Sequence, residues 1–435
     1  MEKLRIGVLG VGRGRVMMKY CKADENAELV AICDKWEEGL EKTKRDLNND
    51  KITYYTDFNE FIKHDMDVVM LANYANQHAP FAIAAMEAGK HVISEVLPAQ
   101  CMAEAVGLVE CVKRTGKKYC YAENYAFMAG PREMRKKIAA GEIGAPEYAE
   151  GEYVHNCEPA WHELTQGNPN HWRNSTPAFF YCTHSFGPLR HMTGLRPVRV
   201  MGFELPHSPR AMRMGRKGGG GAIELVTMEN GMVCKSLHGN MDKDSVWYSI
   251  YGSMGQMETA RTATQMGGCA LLYHSLDEAE GVGNFERSSY RPVDELSERG
   301  AESGHGGSDY VCLFNALEHF RGKEGMDIID VYEGLEMWMA GHFAYLSVIE
   351  NAVQEIPNLR DPAMLDKYRN DRRCCDPSVA SDQLLPCYSK GNPDIPAEVY
   401  EKHRLRWEER QREKAEQEKA EREKAQQEKA QQEKA

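Results

Sequence analysis

Leu4-Arg-Ile-Gly-Val-Leu-Gly-Val-Gly-Arg-Gly-Arg15 decides how the first third of this chain reads. The apolar run Leu4–Leu9 predicts a buried strand, and a helix is expected near Arg15–Lys22. Between them Gly10, Gly12 and Gly14 allow a tight turn and leave bare backbone at the helix N-terminus, where N–H groups can face a pyrophosphate. The third glycine of a G-x-G-x-x-G pattern would fall on Arg15, and Gly14 lies one place early. Arg13 and Arg15 are candidates to contact the pyrophosphate. A second strand, Glu28–Cys33, ends at Asp34. A carboxylate there accepts hydrogen bonds from ribose hydroxyls and repels a 2′-phosphate, which selects NAD over NADP. Two alternatives stand beside this: Asp34 as a cap on the next helix, and Lys35 leaving room for NADP.

Outward from this motif, helical patterns over Trp36–Leu47, Pro80–Ala88 and Ala103–Thr115 alternate with strands Val68–Leu71, His91–Ser94 and Tyr119–Tyr121. That rhythm predicts βαβ units and a doubly wound parallel sheet, a Rossmann domain over residues 1–130. Ligands of such sheets bind at the carboxyl ends of the strands, which places Asn73, His78, Glu95 and Asn124 at the cofactor edge.

From residue 131 to 400 the pattern changes to an α+β domain. Tyr148–Val154, Val198–Phe203, Ala222–Met228, Met232–His238 and Ser245–Tyr251 predict an open, mostly antiparallel sheet, with a hairpin turn at Glu229-Asn230-Gly231. Helices are expected at Asp309–Arg321 and Val331–Val353. Gly215-Arg-Lys-Gly218-Gly-Gly-Gly221 reads as a flexible loop near the pocket. Residues 401–435 form a low-complexity charged tail in which Glu-Lys-Ala recurs, and it reads as a solvated helix.

The 435 residues suffice for two or three domains, and the net charge of −12 argues against nucleic acid or an anionic membrane as partner. No apolar run is long enough to span a bilayer, and no signal peptide is read at the start. Thirteen scattered cysteines without a C-x-x-C pair indicate neither a disulfide framework nor a zinc ribbon, so a cytoplasmic location is expected. No metal is expected either, because His155, His184, His305 and Glu150 are irregularly spaced.

Ala88-Gly-Lys-His-Val-Ile-Ser-Glu95, read with the glycine loop, Ile32-Cys33-Asp34 and Gln77-His78, resembles the Gfo/Idh/MocA oxidoreductases. The resemblance implies a Rossmann domain joined to an α+β domain whose sheet covers the nicotinamide site. The family's common Glu-Lys-Pro is replaced by Glu95-Val-Leu-Pro-Ala99, so the substrate-binding lysine is absent. This is closer to the Glu-Val-Pro-Ala pattern of glycoside hydrolase family 109, with Leu97 as an extra residue. Ala122-Glu-Asn124, Glu152-Tyr-Val-His-Asn156, Tyr181-Cys-Thr-His-Ser-Phe-Gly-Pro188 and Gly304-His-Gly-Gly-Ser-Asp309 look like the same branch. Where ordinary dehydrogenases carry Asp-x-x-x-His, His184 and Pro188 stand.

The resemblance implies an NAD-dependent glycosidase. Oxidation of the C3 hydroxyl to a ketone acidifies the C2 proton, a base removes it, and the C1 leaving group departs. Water adds to the enone and the hydride returns, with no net redox change. Tyr181 and His184, three residues apart on a turn, are the expected acid/base pair, with His305 assisting the leaving group. Glu123, His155, Trp172, Arg173 and Asp309 are the expected substrate contacts. The alternative is a sugar 3-dehydrogenase that releases a 3-keto product. A non-catalytic NAD-binding protein is opposed by the intact Gly10, Gly12, Asp34, Tyr181 and His184. The expected substrate is a small glycoside or sugar. A homodimer or homotetramer is expected to form through the second-domain sheet, whose open apolar face is costly to leave in water.

Overall fold

A computed structural model describes residues 3–261, 271–276 and 285–432. Its first sheet contains β1 (Leu4–Leu9), β2 (Ala27–Cys33), β3 (Thr53–Tyr55), β4 (Val68–Leu71), β5 (His91–Ser94) and β6 (Tyr119–Tyr121). All pairings are parallel, in the order β3-β2-β1-β4-β5-β6. The chain reverses direction across the sheet between β1 and β4, the switch point where such folds bind ligands. β3 was not expected from the sequence. Its three residues are too few for a period, and only pairing with β2 defines it.

The second sheet has nine strands: β7 (Pro146–Val154), β8 (Pro197–Glu204), β9 (Gly221–Met228), β10 (Val233–Gly239), β11 (Ser245–Gly252), β12 (Gly255–Thr259), β13 (Leu271–Leu276), β14 (Phe285–Tyr290) and β15 (Gln354–Glu355). The order is β14-β13-β12-β11-β7-β10-β9-β8-β15. Every pair is antiparallel except β7 with β10. β7 and β10 are far apart in sequence, so no hairpin dictates their direction. No described helix is long and apolar enough to cross a membrane.

One face of this sheet is closed by the helices Cys182–Ser185, Gly187–Thr193 and Val331–Glu350. Contact is backbone to backbone. A Cβ on Gly151 of β7 would strike the Ser185 carbonyl, and one on Gly202 of β8 would lie 2.5 Å from the Ala344 carbonyl. Strand alternation then sends Tyr153, Glu224, Ser236 and His238 toward the same helices, because register pairs Gly151 with Ser236, Tyr153 with His238 and Ser236 with Glu224. The opposite face carries Phe203, Leu225, Val233 and Tyr251, each between 37% and 47% exposed.

The charged tail differs from the expectation in one respect. Its helix begins earlier, at Ala397, and its first turns dock on the body. Tyr400 donates to the Gly215 carbonyl at 3.0 Å, His403 Nε2 lies 2.8 Å from the Arg213 carbonyl, and Lys414 pairs with Glu163 at 2.9 Å. Residues 433–435 of the tail lie outside the described part. Among the described residues the cysteines are free thiols and, apart from Cys157, buried, Cys374 and Cys375 included.

Gly151→Ala is expected to push the Cys182–Ser185 turn off the sheet. Overpacking of this kind costs roughly 1–3 kcal/mol, and chemical denaturation should register it together with lost activity. Substituting Gly194, whose added Cβ would meet nothing within 4 Å, should act on stability through its backbone angle alone.

Candidate active site

The glycine turn separates into packing and access. Gly10 has φ of +103°, and a Cβ there would lie 2.5 Å from the Ala72 carbonyl; one on Gly14 would strike the Gly10 carbonyl. Gly12 meets nothing within 4 Å, so its bare backbone faces open space at the start of the helix Arg15–Ala23. Asp34 Oδ2 accepts the Val11 N–H at 2.7 Å and Oδ1 accepts the Trp36 N–H at 2.9 Å. The residue therefore ties the glycine turn to the end of β2 and also caps the turn into the next helix. Asn73, just past β4, has a buried Oδ1 without a partner. An open backbone cradle, a strand-end carboxylate and an orphaned amide oxygen fit a dinucleotide. Arg15 lies at the helix start and bonds the Gly12 carbonyl.

His78 occupies a different place from the one expected. It is 1% exposed, with Nδ1 2.9 Å from the Leu97 carbonyl and Nε2 3.3 Å from that of Asn73. Burial lowers its pKa to about 4. It braces two turns of the cofactor edge rather than reaching into it.

Three predicted residues, Arg13, Asn124 and His305, converge on the Asp309 carboxylate. Arg13 Nη2 donates to Asp309 Oδ1 at 2.6 Å and Nη1 to Oδ2 at 3.1 Å, while its Nε donates to Glu95 Oε1 at 2.7 Å. Asn124 Nδ2 donates to Asp309 Oδ1 at 2.8 Å, and His305 Nδ1 lies 2.8 Å from Oδ2. Burial alone would raise the Asp309 carboxyl, but His305 and Arg13 hold it well below the usual carboxylate range. Glu95 goes the other way: burial raises it against the pull of Arg13. Arg13 thus spends its fork on carboxylates rather than standing free for a pyrophosphate. Asp309, with both oxygens taken, organises the site instead of presenting itself to sugar hydroxyls. A small cavity lies among Arg13, Glu95, Asn124 and Asp309. His305 reaches this cluster through a left-handed turn, with φ of 54° at His305, 67° at Gly306 and 99° at Gly307. The two glycines tolerate that geometry without strain.

The second cluster centres on His184. Its Nδ1 lies 2.8 Å from Glu123 Oε1, and Glu123 is fully buried at the end of β6. Glu123 was expected to touch substrate; sealed from solvent, it instead orients the imidazole. Its Oε1 also accepts the Tyr125 N–H at 3.2 Å, and Oε2 is buried without a partner. The Tyr248 hydroxyl donates to the His184 carbonyl at 2.6 Å. Tyr181 stacks on the imidazole at an interplanar angle of 14° and a centroid distance of 5.5 Å, so the two expected acid/base groups are brought together. Arg173 donates to the Tyr181 hydroxyl and lies 4.4 Å above the Trp172 ring. His155, at the end of β7, is farther out: it bonds Asp244 at 3.1 Å, and Cys157 and Asp244 raise its pKa to about 9 against its burial.

Sequence reasoning missed Tyr125 and Tyr153, whose rings lie 4.6 Å from that of His184. Burial pushes both phenols upward, so they stay protonated and can donate. For Tyr153 the period of β7 carried a usable signal, since Ala149, Gly151 and Tyr153 share a face. Also missed was the layer beneath: Ser185 Oγ lies 2.8 Å from Ser236 Oγ and 3.3 Å from His238 Nδ1. His238 Nε2 faces Glu224 at 3.9 Å, and burial raises Glu224 to about 8.

Residues 4–123 match the model of the oxidoreductase family with an NAD-binding Rossmann fold. Over 371 residues the chain is 26% identical to glycosyl hydrolase family 109 protein 1 of Shewanella sp. strain ANA-3, covering 77% of this chain and 80% of that one. It is 25% identical over 407 residues to glycosyl hydrolase family 109 protein 1 of Bacteroides thetaiotaomicron, covering 82% and 85%. An oxidoreductase from Agrobacterium radiobacter, solved in complex with NAD+, L-tartaric acid and magnesium, superposes with a TM-score of 0.65 at 16% identity, over 81% of this chain and 98% of that one. The cofactor class of this fold is accordingly NAD.

Asp34→Ala is expected to weaken NAD binding about tenfold or more and to relax discrimination against NADP, read by calorimetry with both dinucleotides. Equal wild-type affinities would contradict the assignment. Glu224 gives a pH test. A carboxyl raised to about 8 on folding favours the folded state below the unfolded pKa of about 4.5, and that contribution is lost as pH rises toward 8. Glu224→Gln should therefore gain stability relative to wild type between pH 5 and pH 8, measured by urea unfolding; a constant difference would contradict a buried neutral acid.

Proposed function

We propose that this chain, whose residues 4–123 match the NAD-binding Gfo/Idh/MocA oxidoreductase family, is an enzyme that cleaves glycosides by a redox-neutral elimination. The observation that carries this is the buried Glu123–His184 pair stacked on Tyr181, in a chain where Val96 stands in place of the family's lysine. Bound NAD supplies a reversible hydride acceptor at the sugar C3. The remaining work belongs to side chains. With Nδ1 held by Glu123, His184 Nε2 has no protein partner among the described residues and is the atom able to take a proton. The Tyr181 hydroxyl, accepting from Arg173, retains its own proton to donate. His305, held by Asp309 through Nδ1, is placed to assist departure of the C1 group.

The test is isotopic. Substrate labelled with deuterium at C2 should exchange its label with water or react more slowly, and label at C3 should slow turnover yet stay in the product. Tyr181→Phe and His184→Ala should each cut turnover by roughly 10²-fold or more while leaving NAD binding nearly intact. NADH accumulating with a 3-keto product and an intact glycosidic bond would assign the protein as a sugar dehydrogenase instead. Cleavage by cofactor-free enzyme without isotope sensitivity would end the proposal.

We further propose that the outward face of the second sheet pairs with a second copy of the chain. Register places Phe203, Leu225, Val233 and Tyr251 in a diagonal band across β8, β9, β10, β7 and β11, with the Lys235–Glu150 ion pair at its centre. A band carrying both signs of charge is self-complementary about a two-fold axis. Leu225→Glu should convert a dimer or tetramer to a smaller species by light scattering, and a wild-type monomer at micromolar concentration would refute this.

A further inference from the structure

Two arginines of the second domain are buried to the same degree and have opposite surroundings. Arg190, 8% exposed, donates from Nε and Nη2 to Glu336 Oε2 at 2.9 and 2.6 Å. Arg216, also 8% exposed, makes no hydrogen bond from its guanidinium and no ion pair among the described residues, and its Nε is sealed without a partner. The nearest aromatic face, Trp161, is 5.8 Å away. Arginine cannot escape this by losing its proton. A buried guanidinium without an anion is costly, and proteins rarely keep one that has no use.

The position of Arg216 relates it to the site. Gly215–Gly221 is not the flexible loop that its composition suggests: Gly218 to Gly221 are buried, and a Cβ on Gly218 would strike the Thr176 carbonyl. The Lys217 N–H donates to the Asn174 carbonyl at 2.9 Å, which stitches this turn to Trp172–Ser175, the turn bearing Arg173. Burial lowers the Arg216 guanidinium, and Cys157, Tyr181, Arg173 and Cys387 act on it in turn. Arg173 itself donates only to the Tyr181 hydroxyl, and Lys217 only to Ser175 Oγ at 3.4 Å. Arg173, Lys217 and Arg216 thus sit on two stitched turns without a carboxylate partner among the described residues, and Arg173 of the three reaches the Tyr181 hydroxyl. The nearby Glu158 is committed to Arg210 and Arg213. In a chain of net charge −12, this is a local reversal of sign.

Resting on the glycoside-directed reading of the Tyr181–His184 site, we infer that the substrate carries an oxyanion, a carboxylate or sulfate on the sugar or its aglycone, seated against Arg216 and Arg173. Guanidinium forks match both groups through paired N–H donors. Neutral sugars would leave Arg216 unsatisfied and should be poor ligands.

The test is binding to the NAD-loaded full chain, measured by calorimetry without turnover. The probes are matched pairs: glucuronate against glucose, galacturonate against galactose, and N-acetylglucosamine 6-sulfate against N-acetylglucosamine. At least one acidic member should bind tenfold or more tightly than its neutral parent, and which pair responds separates carboxylate from sulfate. Arg216→Met should abolish that preference while leaving the neutral parent within about twofold, and Arg216→Lys should restore part of it. If Arg216→Met does not fold, salt serves instead: raising sodium chloride from about 0.05 to 0.5 M should weaken the acidic probe and spare the neutral one. Equal binding of acidic and neutral partners in wild type, or a preference that survives Arg216→Met, would overturn the inference. Because no turnover is read, failure here leaves the redox elimination standing, and absence of C2 exchange would sink that mechanism without touching this preference.

Discussion

The contact between Glu123 and His184 is the constraint on which the rest of the site depends. Glu123 stands at the end of a Rossmann strand and His184 on a short helix of the second domain, so their 2.8 Å approach fixes how the two domains meet at the cofactor edge. It requires the His184 turn to lie against β7, which only a glycine at position 151 permits. It also sets the chemistry. A carboxylate that takes Nδ1 leaves Nε2 as the only imidazole atom able to move a proton, and the ring packed on Tyr181 has no freedom to turn away.

A second joint between the domains is electrostatic. Asp309, from the helix Ser308–Phe320, receives Arg13 from the glycine turn on both oxygens and Asn124 from beyond β6 on Oδ1, and holds His305 through Oδ2. Buried ion pairs of this kind contribute less to stability than to orientation, since much of their attraction offsets desolvation. Here the orientation serves both partners: the glycine turn is fixed relative to His305, and His305 is presented by a turn that only glycines could complete.

Much of this was legible in the sequence where residues repeat with a period or stand at a strand end. The alternation of strands and helices foretold the parallel sheet, and the positions of Gly10, Asp34, Glu95 and Asn124 foretold the edge they line. What could not be read is pairing over distance. β3 exists only through β2, and β7 runs parallel to β10 because of the sheet, not because of any local signal. Arg13 was read as a phosphate contact because its partner lies 296 positions away. Glu123 was read as a substrate contact because nothing in a linear string shows that it is sealed. Gly218 to Gly221 looked mobile by composition, and their role as a packed turn appears only once Thr176 lies against them.

The most direct test of the account is the protonation of His184 itself. Protein labelled with 15N at histidine, compared with His184→Gln for assignment, should show His184 as the tautomer with its proton on Nδ1, in a strongly downfield hydrogen bond that Glu123→Gln disrupts. The Nε2 signal should shift when a sugar ligand binds. A proton resident on Nε2, or a signal indifferent to Glu123→Gln, would contradict the account at its centre.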